Sequence, residues 1–127
     1  MSYLSSREKI LGGTDRELRL WCAKLDGWKN INVFDLFGCP PGHRVETTWH
    51  ISVPDYPNDI AAVWPLLEIL PSTFIFEVSK NLFGRWICCI DTGETKFTAG
   101  SHTASRAISK TILLALSALI FTDEVKI

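Results

Sequence analysis

Basic and hydroxyl side chains surround the start of the last predicted helix. Gly100-Ser101-His102-Thr103 leads directly into that helix, and Arg106 and Lys110 follow on it. Because the free N–H groups and the dipole of a helix N-terminus favour an anion, this arrangement is typical of a phosphate site. Arg85 and Lys96 lie on neighbouring predicted strands. In the alternative interpretation, Thr103 only caps its own helix and the basic side chains are solvated. The ligand-binding residues predicted here are Arg85, His102, Thr103 and Arg106.

A second candidate binding surface is aromatic. Phe34, Phe37, Trp49 and Tyr56 lie in or beside a long predicted loop, together with Arg44. Aromatic side chains combined with arginine can stack on a base or hold a partner protein. The same side chains could instead close over the sheet as a small satellite core. Arg44, Trp49 and Tyr56 are the predicted ligand-binding residues of this group.

Potential metal ligands also share this stretch. Cys39, His43, His50, Asp55 and Asp59 lie within it, but their spacings match no standard zinc pattern. Asp59 suits the start of a helix, and the two histidines suit a surface. No metal site is therefore predicted.

Nucleophilic catalysis has no local signature in this sequence. Cys88 and Cys89 are adjacent in an apolar predicted strand, and cysteine is among the most frequently buried residues. No motif pairs either thiol with a histidine. No catalytic residue and no cofactor are predicted, although a hydrolase or nuclease that uses residues 39–59 stays an alternative.

The composition limits the class of protein. The chain has 127 residues, 46% of them hydrophobic, and a formal net charge of −1. The length fits a single domain over residues 1–127, and the charge balance argues against a protein that coats nucleic acid. We expect no secretory signal, and the apolar run from 112 to 121 is too short to cross a membrane. Together with the absence of a CxxC pair, this suggests reduced thiols in a cytoplasm.

Two helices and a long loop are predicted in the first half of the chain. Thr14 and Glu17 form a capping box before a helix that Gly27 ends, and a short helical turn precedes it at Ser6–Leu11. Residues 29–57 form an ordered loop, with extended segments at 31–37 and 45–53. A second helix follows from about Asn58 to Leu70, kinked or interrupted at Pro65.

The second half contains three strands and a helix. We predict antiparallel strands at Thr73–Lys80, Arg85–Asp91 and Lys96–Gly100, followed by a helix from a Thr103 cap to about Phe121. The middle strand is largely apolar on both faces, which favours a sheet covered on both sides. The predicted fold is therefore α+β, a three-layer α-β-α sandwich with about three strands and a long ordered loop between helices 1 and 2.

The end of the last helix is apolar on nearly all sides. Such a helix must be buried all round, and a subunit interface is one way to achieve this in a short chain. We predict a homo-oligomer, a dimer or larger, formed through Ile112, Leu113, Leu116 and Ile120.

The ordered set of motifs resembles the phage ABA sandwich domain family. Four stretches carry the resemblance: Thr14–Leu18 with Gly27–Lys29, Pro40–Gly42, Val53–Trp64, and Phe97 with Ala104–Ile108. Pro57 stands where the family has Ser, and Pro65 lies inside the second helix. The resemblance implies a layered fold of helices and sheet and a phage or prophage origin. It implies no catalytic activity.

These patterns predict a non-enzymatic phage or prophage accessory protein in the host cytoplasm. It would bind a host protein or a small anionic ligand, and in a sharper version it would sequester a nucleotide signal of host defence. The alternatives are a structural oligomer without a ligand and the hydrolase or nuclease named above.

Overall fold

The chain begins with two helices whose ends follow local sequence signals. The structure, a computed structural model, describes residues 6–42 and 50–117. Helix α1 spans Ser6–Leu11 and α2 spans Asp15–Asp26. The Thr14 hydroxyl accepts a hydrogen bond from the Glu17 N–H, and the Glu17 carboxylate accepts one from the Thr14 N–H. Gly27 ends α2 with φ at 96°, a conformation that costs glycine little. The predicted capping box and stop are confirmed.

The long connection after α2 is tied back to that helix. Strands β1 (Phe37–Gly38) and β2 (Ile51–Ser52) pair antiparallel, and they are much shorter than the two predicted extended segments. The Arg19 guanidinium of α2 donates from Nε to the Val53 carbonyl at 2.9 Å. Residues 43–49 of the predicted loop lie outside the described residues. The described part of the loop therefore follows the surface of α2.

Helix α3 is shorter than predicted. It spans Ile60–Glu68, and Asp59 rather than Asn58 caps it, accepting a hydrogen bond from the Ala61 N–H at 3.0 Å. Pro65 lies inside the helix, which continues through it, so the predicted interruption is absent. Its ring is exposed, and the missing N–H leaves the Ala61 carbonyl without its usual helical donor.

A three-stranded antiparallel sheet follows, as predicted. Its strands are β3 (Ile75–Lys80), β4 (Trp86–Asp91) and β5 (Lys96–Ser101), in the order β3-β4-β5. The turn between β3 and β4 carries two fully or almost fully exposed apolar side chains, Leu82 (100%) and Phe83 (93%).

Helix α4 (Ala104–Ala115) lies at the centre of the molecule. It contacts β4 and β5 on one side, and α1, α2 and α3 on the other. The Thr111 hydroxyl donates to the Cys88 carbonyl at 3.1 Å, while Ile108 is completely buried in the core. The predicted helix extended to Phe121, and residues 118–127 lie outside the described part.

The α+β class is confirmed, with helices packed on the three-stranded sheet. Among the described helices, α4 covers one face of the sheet, and α1, α2 and α3 contact α4. On the opposite face Glu77 and Thr98 are exposed, and Cys89 between them is half-buried. The apolar character of both faces of β4 therefore reflects its central position in the sheet as well as helix packing.

The burial of α4 bears on the predicted interface. Ile112 and Leu113 are buried by the chain's own elements, and Leu116 is half-buried. Ile120 lies outside the described residues. A partner subunit is not needed to cover Ile112 and Leu113, so their apolar character does not support an interface. Self-association stays a prediction.

Within residues 6–42 and 50–117, no helix is long and apolar enough to span a bilayer.

Candidate anion-binding cleft

A cleft of about 390 Å³ opens where the start of α4 meets one end of the sheet. One wall comes from the residue before β4, the end of β5 and α4, and the other wall comes from the start of α2 and the segment before α3. The residues that line it are Asp15, Asn58, Arg85, Ser101, His102, Thr103, Arg106 and Lys110.

The antiparallel register brings Arg85 to this position. Trp86 pairs with Ser101, so the residue before β4 lies beside the end of β5. The Arg85 guanidinium donates to the Gly100 carbonyl at 3.2 Å. A Cβ on Gly100 would lie 2.9 Å from Arg85 Nε, so the glycine leaves room for this side chain.

Helical spacing aligns the α4 contribution. Thr103 caps the helix, and its hydroxyl accepts a hydrogen bond from the Arg106 N–H at 3.2 Å. Arg106 and Lys110 are four residues apart and therefore lie on the same face. Both project into the cleft that Thr103 begins.

Arg106 connects the two walls of the cleft. It forms an ion pair with Asp15, and it donates to the Gly13 carbonyl at 3.1 Å. The Asn58 amide donates to the other oxygen of Asp15 at 3.1 Å. Asp15 is therefore held from two sides, by a cation and by an amide.

The electrostatics of the cleft are unbalanced. Arg85, Arg106 and Lys110 supply three positive charges, and Asp15 is the one carboxylate among the lining residues. Burial, together with the positive charges of Arg106 and Arg85, lowers the pKa of Lys110. Among the described residues no acidic group pairs with Lys110. An anion in the cleft would relieve this repulsion.

Ser101 adds an unused hydroxyl to the cleft. The residue is 4% exposed, and its side chain has no hydrogen-bond partner among the described residues. Every buried side-chain nitrogen or oxygen among the described residues has a hydrogen-bond partner, so this unpaired hydroxyl faces the open cleft, where a ligand can reach it.

The cleft brings together four of the predicted ligand-binding residues, namely Arg85, His102, Thr103 and Arg106. Lys96 lies at the opposite end of β5, beside Asp91. Sequence reasoning missed Asp15, Asn58 and the role of Ser101. The four-residue spacing between Arg106 and Lys110 indicated that both lie on one face of the helix. Nothing in the sequence links Asp15 to Arg106, which lies 91 positions later.

The described aromatic candidates, Phe34, Phe37 and Tyr56, do not line the cleft. Tyr56 is 1% exposed, and its hydroxyl donates to Asp26 Oδ2 at 2.7 Å. Burial and this hydrogen bond raise the pKa of Tyr56 well above its usual value. Its polar end is already satisfied, so Tyr56 belongs to the core that joins the loop to α2. Arg44 and Trp49 lie outside the described residues.

The chemistry of the cysteines is that of core residues. Cys22, Cys39 and Cys88 are buried. Burial raises the pKa of Cys22 to about 12 and that of Cys88 to about 11, so both are protonated near neutral pH. A protonated thiol is a poor nucleophile. Over residues 6–42 and 50–117, no three His, Cys, Asp or Glu side chains are grouped as metal ligands.

Comparisons with known proteins bear on the fold. Neither a protein-family model nor a curated protein matches the chain. Among solved structures, the 2.0 Å crystal structure of a phage protein from Bacillus cereus ATCC 14579 superposes with a TM-score of 0.65. The chain has the fold of a phage protein. The match covers 89% of this chain and 97% of the other at 18% sequence identity, so it shows a shared fold and no shared function.

Proposed function

We propose that this chain is a non-enzymatic accessory protein of a phage or prophage, and that it binds a small anionic ligand in the cleft. We also propose that it belongs to the phage ABA sandwich family, with the fold similarity as support. In this proposal the protein acts in the host cytoplasm.

One observation carries the binding proposal. Arg85, Arg106 and Lys110 converge on a concave surface that holds a single carboxylate, and Lys110 has no acidic partner among the described residues. Converging cations without matching anions cost folding stability, so such an arrangement is typical of a site that a ligand completes. The Ser101 hydroxyl, which faces the cleft and has no partner among the described residues, supports the same interpretation.

The ligand class that fits is a phosphate-bearing small molecule. The sharper version is a nucleotide signal of host defence, which the protein would sequester. A host protein that presents an anionic group is the other partner compatible with this cleft.

Titration calorimetry tests the proposal directly. We expect heat of binding with at least one member of a panel of inorganic phosphate, cyclic nucleotides and ADP-ribose derivatives. Arg85→Gln and Lys110→Gln should weaken that binding about tenfold each, because each removes a charge-assisted contact. Lys96→Gln removes the same charge at the far end of β5 and should leave it unchanged. If no panel member produces heat or a thermal shift, anion binding is excluded.

We further propose that the chain self-associates. Exposed apolar side chains support this, in particular Ile75 on β3 and the Leu82–Phe83 turn. Light scattering should give a mass of at least two chains at micromolar concentration, whereas a monomer mass would contradict assembly.

A further inference from the structure

The two walls of the cleft differ in chemistry. Arg85 before β4, Ser101 at the end of β5 and Lys110 on α4 offer hydrogen-bond donors and positive charge. Asp15 and Asn58 form the opposite wall, and Arg106 lies against Asp15. A ligand that fills the cleft therefore meets two different environments.

The Asp15–Asn58 wall offers mainly acceptors. Each Asp15 oxygen already accepts one hydrogen bond, from Arg106 or from Asn58. A carboxylate has about four acceptor positions, so Asp15 retains further capacity, and its side chain is 48% exposed. The Asn58 amide nitrogen is used by Asp15 and Asp55, which leaves its carbonyl oxygen for another donor.

This wall disfavours a second anionic group. A phosphate placed against Asp15 would meet a like charge, and a donor group there would gain a charge-assisted hydrogen bond. The volume of the cleft, about 390 Å³, exceeds what one phosphate group fills. An inorganic phosphate or a compact polyphosphate would therefore satisfy only one wall.

We propose that the ligand is a phosphate ester whose other end carries hydroxyl or amino donors, and that Asp15 and Asn58 select for those donors. This inference rests on the anion-binding function proposed above. The phosphate lies against Arg85, Ser101 and Lys110, and the donor end lies against Asp15 and Asn58. Asp15 is then a specificity-determining residue as well as the ion-pair partner of Arg106.

Two probes with the same anionic group test the selection. Methyl phosphate presents a phosphate monoester without hydroxyls, and α-glucose 1-phosphate presents one with four. NMR shift titration, which reads weak affinities, should show α-glucose 1-phosphate binding about tenfold more tightly to the natural chain. Asp15→Asn should bring this ratio below about twofold and should tighten methyl phosphate binding, because a like charge is removed.

Controls separate the possible failures. Asp91→Asn removes the same charge at the opposite end of β4 and should leave the ratio unchanged. Asn58→Ala keeps the charge of Asp15 and should lower the ratio with methyl phosphate affinity intact, which provides a second variant if Asp15→Asn is poorly folded. Equal binding of both probes to the natural chain, or an unchanged ratio in both variants, overturns the selection but leaves anion binding standing. Binding of neither probe, with no ligand found in the calorimetric panel, overturns both.

Discussion

Ser101 carries a hydroxyl group that the fold does not use. Because it has no partner among the described residues, Ser101→Ala should change the free energy of unfolding by less than about 0.5 kcal/mol. The same variant should weaken ligand binding about fivefold, through the loss of one hydrogen bond. Denaturant unfolding and calorimetric titration measure the two effects.

Ser109 provides a matched control for this variant. Its hydroxyl is buried and donates to the Ser105 carbonyl at 2.8 Å. Ser109→Ala should cost about 1 kcal/mol of stability and leave affinity unchanged. If the two variants behave alike in both measurements, Ser101 has no special role in the cleft.

The charge of Lys110 should lower the stability of the fold while it strengthens anion binding. Burial and, after it, the positive charges of Arg106 and Arg85 lower the pKa of Lys110, so the unfolded chain binds the proton more tightly than the folded chain does. The charged form therefore costs stability below the folded-state pKa, and this cost disappears as the pH rises through that pKa toward 10.5. Lys110→Gln should stabilise the protein by about 0.5 kcal/mol or less at pH 7, since the group is partly solvated.

The pH dependence of that difference is the test. The stability advantage of Lys110→Gln over the natural chain should shrink as the pH rises toward 10.5, because Lys110 loses its proton in the folded chain before it does in the unfolded chain. A saturating anion should reverse the advantage at pH 7. An advantage that is constant with pH would show that the charge of Lys110 is not its cause.

At the scale of elements, α3 contains a proline in its interior. Pro65→Ala should restore the hydrogen bond to the Ala61 carbonyl and stabilise the protein by about 1–2 kcal/mol, because the exposed ring makes no core contact that must be replaced. Thermal unfolding measures this. Pro71→Ala, beyond the end of α3, should give no such gain, because it restores no helical hydrogen bond. An equal gain there would show that the restored hydrogen bond in α3 is not the cause.

Local sequence signals predicted the helices and strands well, but they did not predict the tertiary contacts between them. The Thr14–Glu17 capping box, the Gly27 stop and the short turns between strands depend on neighbouring residues, so the sequence contains the whole cause. The burial of Tyr56 depends on Asp26, which lies 30 residues earlier, and an aromatic residue in a loop is equally compatible with a surface. The basic half of the cleft was predictable because it follows one helix start and one hairpin. The Asp15–Asn58 wall was not predictable, because only tertiary packing brings these two residues to the cleft.

At the scale of the whole molecule, α4 is the central element of the core. An apolar helix surface indicates that something covers it but not whether the cover is another chain. The structure places Leu113 at 0% exposure against the chain's own elements. The sequence pattern alone could not distinguish these two cases.

Leu113→Ala distinguishes a core position from an interface position. In the core it should cost about 2–5 kcal/mol of stability and leave the mass per particle of the folded protein unchanged. Denaturant unfolding and light scattering give the two readings. Unchanged stability with a smaller particle would instead place Leu113 in a subunit interface.

The central position of α4 has a consequence for how the protein is made. α4 follows every other described element in the sequence, and it is the element on which the sheet and the three other helices pack. While the chain emerges from the ribosome, α1 to α3 and the three-stranded sheet lack the helix on which they pack until residues 104–115 have been synthesised. Their folding must wait for that late segment, and a nascent chain stalled before it should be open to proteases and chaperones over nearly its whole length.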